Sequence, residues 1–247
     1  MSVQKSWSEL QTMARAARLI INTLDLLEEA AVPGATTGDL DKIARENIER
    51  AGARPAFLGY RGFPATLCAS VNEEVVHGIP GDRKLKEGDV VGLDLGCILD
   101  GFFGDSARTV AVGRISDEAR RLLDTTREAL LAGIEMCRPD KRVGDIGHAV
   151  QSHAEERGYS VVREFVGHGI GTSLHEEPQV PNYGPPGRRD RLVPGMCLAI
   201  EPMVNVGTPE VEVLDDGWTA VTKDRKLSAH FEFAVAVTPH GPWILSE

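Results

Sequence analysis

Positive charge, clustered cysteine and unbroken apolar sequence are all scarce in this 247-residue chain. Lysine and arginine number 27 against 37 aspartates and glutamates, a formal charge of −10 and a pI near 5.2. Phosphate binding needs a basic face, so nucleic acid is not expected as a partner. The four cysteines, Cys68, Cys97, Cys137 and Cys197, form no CxxC pair, which argues against a structural zinc site or a disulfide framework. Buried free thiols are expected instead. No apolar run reaches the length of a membrane span, and the start MSVQKSWSEL lacks the charged-then-apolar order of a signal peptide. A cytoplasmic protein with no membrane partner is the expectation. The remaining composition, 42% hydrophobic and 26% charged, is that of an ordinary globular chain.

What is present reads as two similar halves. Residues 6–31 place Leu10, Ala14, Ala17, Ile21, Leu24 and Leu27 on a helical stripe ended by Pro33-Gly34, and Thr37 opens a second helix stopped by Gly52. Strands are expected over Thr66–Val71, Asp89–Leu99 and Phe103–Val112, the last two joined by the two-residue turn Asp100-Gly101. Ser116 caps a helix reaching about Met136, and Val143 begins another ending near Gly158. Strands follow at Tyr159–Glu164, Gly195–Glu201, Glu210–Leu214 and Trp218–Thr222, then a terminal run AHFEFAVAVT. Two helices plus strands, repeated, predict a single α+β domain over residues 1–247, internally duplicated at about 1–115 and 116–247, with helices on one face of a curved antiparallel sheet.

Both halves drive an apolar run inward and end it on a carboxylate. Leu85, Gly88 and Asp94 recur spacing for spacing as Leu192, Gly195 and Glu201. With Asp100-Gly101 as the turn, Asp94 faces Ala107, so Asp94 and Asp105 share one sheet face on a diagonal, while Arg108 points to the other. Two buried like charges need an arginine or lysine, a shared proton or cations between them. Glu201 repeats the place of Asp94, Glu232 sits in its strand as Asp105 does, and His168 in GHG is flanked by glycines that admit close backbone approach. Four carboxylates and one imidazole match two divalent cations, and an oxygen-rich set suits Mn, Fe or Co better than structural zinc. Such a pair activates water and polarises a carbonyl.

His77 and His175 each precede a proline-containing turn, one per half, and neutral imidazoles there suit contact with a substrate amide or a developing oxyanion. His148, His153 and His240 read as structural. His230 is two residues from Glu232 on the same strand face.

The segments LGYRGFPATLCASVN, NEEVVHGIP, GLDLGCILDGFFGDSA, GHGIG, LHEEP, AIEPM and DDGWTAVTKDRKLSAHFE, in this order, resemble the bacterial type I methionine aminopeptidases. The resemblance implies a pita-bread fold with pseudo-twofold duplication. It makes Asp94, Asp105, His168, Glu201 and Glu232 the ligands of two divalent ions (Co, Mn or Fe), with Glu201 also the proton shuttle, and His77 and His175 the substrate histidines. Tyr60, Phe63, Cys68, Phe165, Leu174 and Trp218 fall at its methionine-pocket positions. Phe63 and Phe165 replace tyrosines of the commonest bacterial pattern and Leu174 replaces an aromatic, giving a less polar, slightly roomier slot. Asn72, Glu74 and Ser228 fall where some members hold a monovalent cation through backbone oxygens.

The implied reaction removes the initiator methionine from nascent polypeptides whose second residue is small. A transient ribosome contact belongs to that role, although no zinc-binding extension or basic patch marks a docking site, and a monomer is expected. Met1-Ser2 is itself such a substrate. The alternatives are a proline-directed aminopeptidase or prolidase of the same fold, which typically carries a large extra N-terminal domain, and a non-catalytic binding protein, which would be expected to lose ligands.

Overall fold

The computed structural model describes residues 4–247, so Met1 and Ser2 lie outside it. Helix α1 (Trp7–Ala30) starts at a reciprocal cap: the Ser6 hydroxyl accepts from the Glu9 amide while the Glu9 carboxylate accepts from the Ser6 amide. Its buried face follows the three–four spacing from Leu10 through Met13, Ala17, Ile20, Leu24 and Leu27. Ala14 and Ile21, expected on that stripe, flank it and are only partly buried. Helix α2 (Thr37–Arg50) opens at Thr37 as expected, and the Thr36 side chain before it accepts from the Asp39 amide. In the second half Ser116 caps α3 (Asp117–Glu135) as expected, and α4 (Val143–Glu155) follows.

The main sheet is antiparallel throughout. Strand β1 (Leu67–Val71) pairs with β2 (Val90–Leu99), and β2 forms an unbroken hairpin with β3 (Phe102–Ala111). Asp100 and Gly101 both have positive φ, the requirement of the tight turn that matches strand twist. No bulge interrupts the ladder, so Asp94 does face Ala107. Beyond β3 come the second-half strands: β4 (Gly167–Gly169), β5 (Glu176–Val180), β6 (Cys197–Ile200) and, after an excursion, β7 (Glu232–Thr238). Their order across the sheet is β2-β3-β7-β6-β4-β5. Strands β3 and β7, one from each half, meet at the centre, where Glu232 pairs with Ala107.

Alternation along these strands sorts the two faces. Val91, Leu93, Leu95 and Cys97 of β2 and Val110 of β3 join one core with Ile20, Leu24 and Leu27 of α1 and Leu40 and Ile48 of α2. Leu198, Ile200, Val235 and Val237 join another with Leu130 and Ile134 of α3 and Val143 and Ile146 of α4. Each fully buried side chain of this size contributes about 1.5–3 kcal/mol. Arg108 lies on the helix side, as parity requires, paired with Asp25 and Glu28 of α1 at 2.8 Å each. The architecture is a pita-bread fold: a curled antiparallel sheet with two helix pairs outside and a concave inner face left for polar chemistry.

Two expected strands differ. The terminal run is two strands, Ser228–His230 pairing with Met203–Asn205 in a small separate sheet and β7 in the main one, with Phe231 at the break. Tyr159–Glu164 shortens to Ser160–Val161 because only that part finds a partner. No helix among the described residues is long and apolar enough to cross a membrane.

Candidate active site

Register alone brings the acidic residues together. Cys68 pairs with Asp94, Asp94 with Ala107 and Ala107 with Glu232, a row running straight across the inner face. Asp105 stands two residues from Ala107 on the same face. Glu201 extends the β6–β7 ladder by one residue, since Ile200 pairs with Phe233. His168 pairs with Ala199, two residues from Glu201, and so projects to the same side. Small residues make this approach feasible. A Cβ on Gly167 would stand 2.3 Å from the Ala199 carbonyl oxygen and one on Gly169 2.4 Å from that of Glu177, so strand β4 can carry His168 between its neighbours only with glycine on both sides.

One ligand atom from each of Asp105, His168 and Glu232 lies within 4.8 Å of the other two. His168 Nε2 is 3.4 Å from Glu201 Oε1 and 3.8 Å from Asp105 Oδ2. Its Nδ1 is 2.9 Å from the Gly169 carbonyl, which holds the proton on Nδ1 and turns the Nε2 lone pair toward the carboxylates. Asn182 Nδ2 donates to the Glu201 carbonyl at 3.0 Å and the Ser106 hydroxyl to that of Glu232 at 2.6 Å, fixing the backbone beneath two of the acids.

The electrostatics are unbalanced. Burial, with no compensating cation, raises the Asp94 pKa to about 7. Burial and then the neighbouring carboxylates raise those of Asp105, Glu201 and Glu232 well above the usual carboxylate range. Asp94 Oδ1, Asp105 Oδ1 and Glu232 Oε1 are buried without a hydrogen-bond partner. Among the described residues no lysine or arginine pairs with any of the four; their ion-pair-distance neighbours are imidazoles. Of the three compensations open to the sequence, the arginine or lysine is therefore absent. Orphaned carboxylate oxygens facing a neutral imidazole, His168 being lowered to about 4 by burial, are the donor set a hard or borderline divalent ion requires.

These groups form the floor of a cavity of about 300 Å³. Every residue expected in the methionine pocket, Tyr60, Phe63, Cys68, Phe165, Leu174 and Trp218, lines it, as do His77 and His175. Phe63 and Trp218 meet edge to face at 5.1 Å, and His77 meets Phe165 at 5.3 Å. Tyr60 Oη is 2.8 Å from His175 Nδ1. Burial lowers the His77 pKa to about 4; burial and then the nearby Arg61 lower that of His175. Burial pushes the Cys68 thiol up, so it remains a neutral wall residue.

The arrangement shows no arginine or lysine salt bridge to these acids among the described residues, and comparison with known proteins supplies the family. The model of metallopeptidase family M24 matches residues 11–239. The chain belongs to metallopeptidase family M24. A methionine aminopeptidase of Clostridium perfringens is 52% identical over 246 residues, 100% of this chain and 99% of that one. The crystal structure of methionine aminopeptidase from Rickettsia prowazekii superposes with a TM-score of 0.99 at 41% identity, covering all of both chains. A prolidase from Pyrococcus furiosus shares the fold at a TM-score of 0.81 and 20% identity, this chain covering 66% of its length. Full-length identity favours the methionine-directed M24 hydrolases over the proline-directed ones, and the activity is that of a metal-dependent aminopeptidase.

Three site features were not anticipated. Phe57 and Arg61 also line the cavity; the glycines around Tyr60-Arg61 were the available signal. His230 turns its buried Nε2 to 3.7 Å from Glu201 Oε2, although the strand break at Phe231 removes the shared face assumed for it. Of the residues expected around a monovalent cation, Asn72 and Ser228 do meet, the Ser228 amide donating to the Asn72 carbonyl at 3.0 Å. The Glu74 carboxylate accepts from the Val71 amide at 2.7 Å and pairs with Arg83, contacts of its side chain and not of the backbone oxygen that the resemblance assigns to a cation. All four cysteines are buried and free, as expected.

Proposed function

We propose that Asp94, Asp105, His168, Glu201 and Glu232 hold two divalent ions, Mn, Fe or Co by donor type, and that the site removes the first methionine of nascent polypeptides whose second residue is small. One observation carries this reading: four carboxylates, with orphaned buried oxygens on Asp94, Asp105 and Glu232, line one apolar cavity with a neutral imidazole and have no lysine or arginine partner among the described residues. When bound, such ions supply Lewis acidity and a water of lowered pKa.

The remaining roles belong to the protein. Phe63, Cys68, Phe165, Leu174 and Trp218 enclose the methionine side chain in a dry slot, where one methylene of misfit costs about 1–3 kcal/mol of discrimination. Glu201 takes a proton as water adds to the scissile carbonyl carbon. It returns that proton to the amine as the carbon–nitrogen bond breaks. Tyr60 O–H donates to His175 Nδ1, which leaves the His175 proton on Nε2, available to the carbonyl oxygen as it gains charge. His77, neutral because it is buried, steadies the leaving nitrogen. A monovalent cation near the Asn72 and Ser228 backbones, cytoplasmic location, action as a monomer within one catalytic domain, and passing contact with the ribosome complete the reading.

The test is hydrolysis of Met-Ala-Ser, Ala-Pro-Ala and a Xaa-Pro dipeptide by chelator-treated protein with manganese or cobalt restored. Release of methionine from the first alone is expected. Preference for the proline substrates would transfer the chain to the prolidase-like activity.

A further inference from the structure

Arg61 stands out at the mouth of this cavity. It is the single arginine or lysine among the described residues that line it. Its backbone is left-handed, φ 49° and ψ 23°, between Gly59 and Gly62, which are also at positive φ. A long side chain is uncommon there, and a residue held in such a conformation beside a site points to a use for its side chain. The guanidinium packs 5.4 Å from the centre of the Tyr60 ring, and among the described residues no carboxylate pairs with it. The exposed carboxylate nearest Trp218 in sequence, Asp216, is turned back onto the amides of Trp218 and Thr219 at 2.8 Å each, so it does not neutralise Arg61.

Resting on the function proposed above, we infer that Arg61 is a specificity-determining residue that favours peptides with an acidic side chain at the third or fourth position. The geometry follows from the chain direction. Methionine fills the slot beside Phe63 and Trp218, the scissile bond lies between the floor carboxylates and His175, and the peptide leaves through the mouth where Tyr60 and Arg61 stand. The guanidinium lies over the ring of Tyr60, whose hydroxyl is 2.8 Å from His175, so a chain that advances about 3.3–3.6 Å per residue past His175 reaches it within a few residues of the scissile bond. A planar, unpartnered guanidinium recognises a carboxylate through paired hydrogen bonds as well as charge. The chain carries a formal charge of −10 and so repels acidic peptides in general, which makes a free cation at the one mouth the substrate uses a local reversal of that field.

The experiment measures kcat/KM for Met-Ala-Asp, Met-Ala-Asn and Met-Ala-Lys peptide amides on manganese-loaded protein, the capped C-terminus removing a competing carboxylate. Comparing peptides within one protein cancels any loss of folded enzyme. The wild-type chain is expected to prefer Asp over Lys by about three- to fivefold at low salt, the range of an exposed ion pair, and to lose the preference at high salt. Arg61→Gln should bring the ratio near one, and Arg61→Glu should invert it. Equal rates on the three peptides, or a wild-type preference that survives Arg61→Glu, overturn the role of Arg61 while brisk methionine release leaves the proposed function standing. Absence of methionine release from all three peptides rejects both.

Discussion

Removing the metal and raising the pH should destabilise this protein by a calculable amount. In the metal-free chain burial pushes Asp94 up to about 7, and burial with the neighbouring carboxylates raises Asp105, Glu201 and Glu232 well above the usual carboxylate range. In the unfolded chain all four ionise near pH 4. Groups whose pKa rises on folding contribute stability at low pH and lose it as the pH climbs through the folded value. Buried histidines act in the opposite sense. His77 and His168 are lowered to about 4 and His230 to about 3, so the unfolded chain takes up protons below about pH 6.5 that the folded one refuses. Below that point the two sets oppose each other and stability changes little. Above it the unfolded histidines have lost their protons while the folded carboxylates keep theirs, and stability falls. Each retained proton contributes a slope of about 1.4 kcal/mol per pH unit. One retained proton costs about 2 kcal/mol between roughly pH 6.5 and 8 and two cost about 4, against a total of about 5–15 kcal/mol. Urea unfolding of chelator-treated protein, followed by tryptophan fluorescence across that range, reads the slope directly. With manganese bound the native carboxylates are ionised and the decline should vanish. A metal-free stability that stays flat or rises from about pH 6.5 to 8 would refute the reasoning.

Three substitutions probe separate parts of the site. Glu201→Gln keeps the shape but removes the proton carrier, and kcat should fall by about 10²–10⁴ in steady-state assays of Met-Ala-Ser. Tyr60→Phe removes the hydroxyl 2.8 Å from His175 Nδ1 and frees the tautomer, so kcat should fall about tenfold with KM nearly unchanged. Gly167→Ala places a methyl 2.3 Å from the Ala199 carbonyl oxygen; the resulting shift of strand β4 should lower stability by about 1–3 kcal/mol and weaken manganese affinity in calorimetric titration.

Much of this site was legible because strand registers obey short-range rules. Asp100-Gly101 fixed the β2–β3 ladder, and the ladder fixed the common face of Asp94 and Asp105 and the opposite face of Arg108. Glu201 and Glu232 followed from the repeated frame of the two halves. The resemblance supplied the pocket residues, all of which line one cavity. What local pattern could not supply depended on tertiary partners. The chain breaks at Phe231 because Ser228–His230 finds its partner in another sheet, and that break turns His230 toward Glu201 by a route parity does not describe. Arg61 reaches the cavity through a turn of left-handed residues, whose direction no hydrophobic periodicity encodes.

The account stands most directly on the metal pair. A crystal grown with manganese, with anomalous scattering measured at that element's absorption edge, should show two peaks enclosed by Asp94, Asp105, His168, Glu201 and Glu232. No peak at this position, or ions bound elsewhere while these carboxylates share protons among themselves, would contradict it.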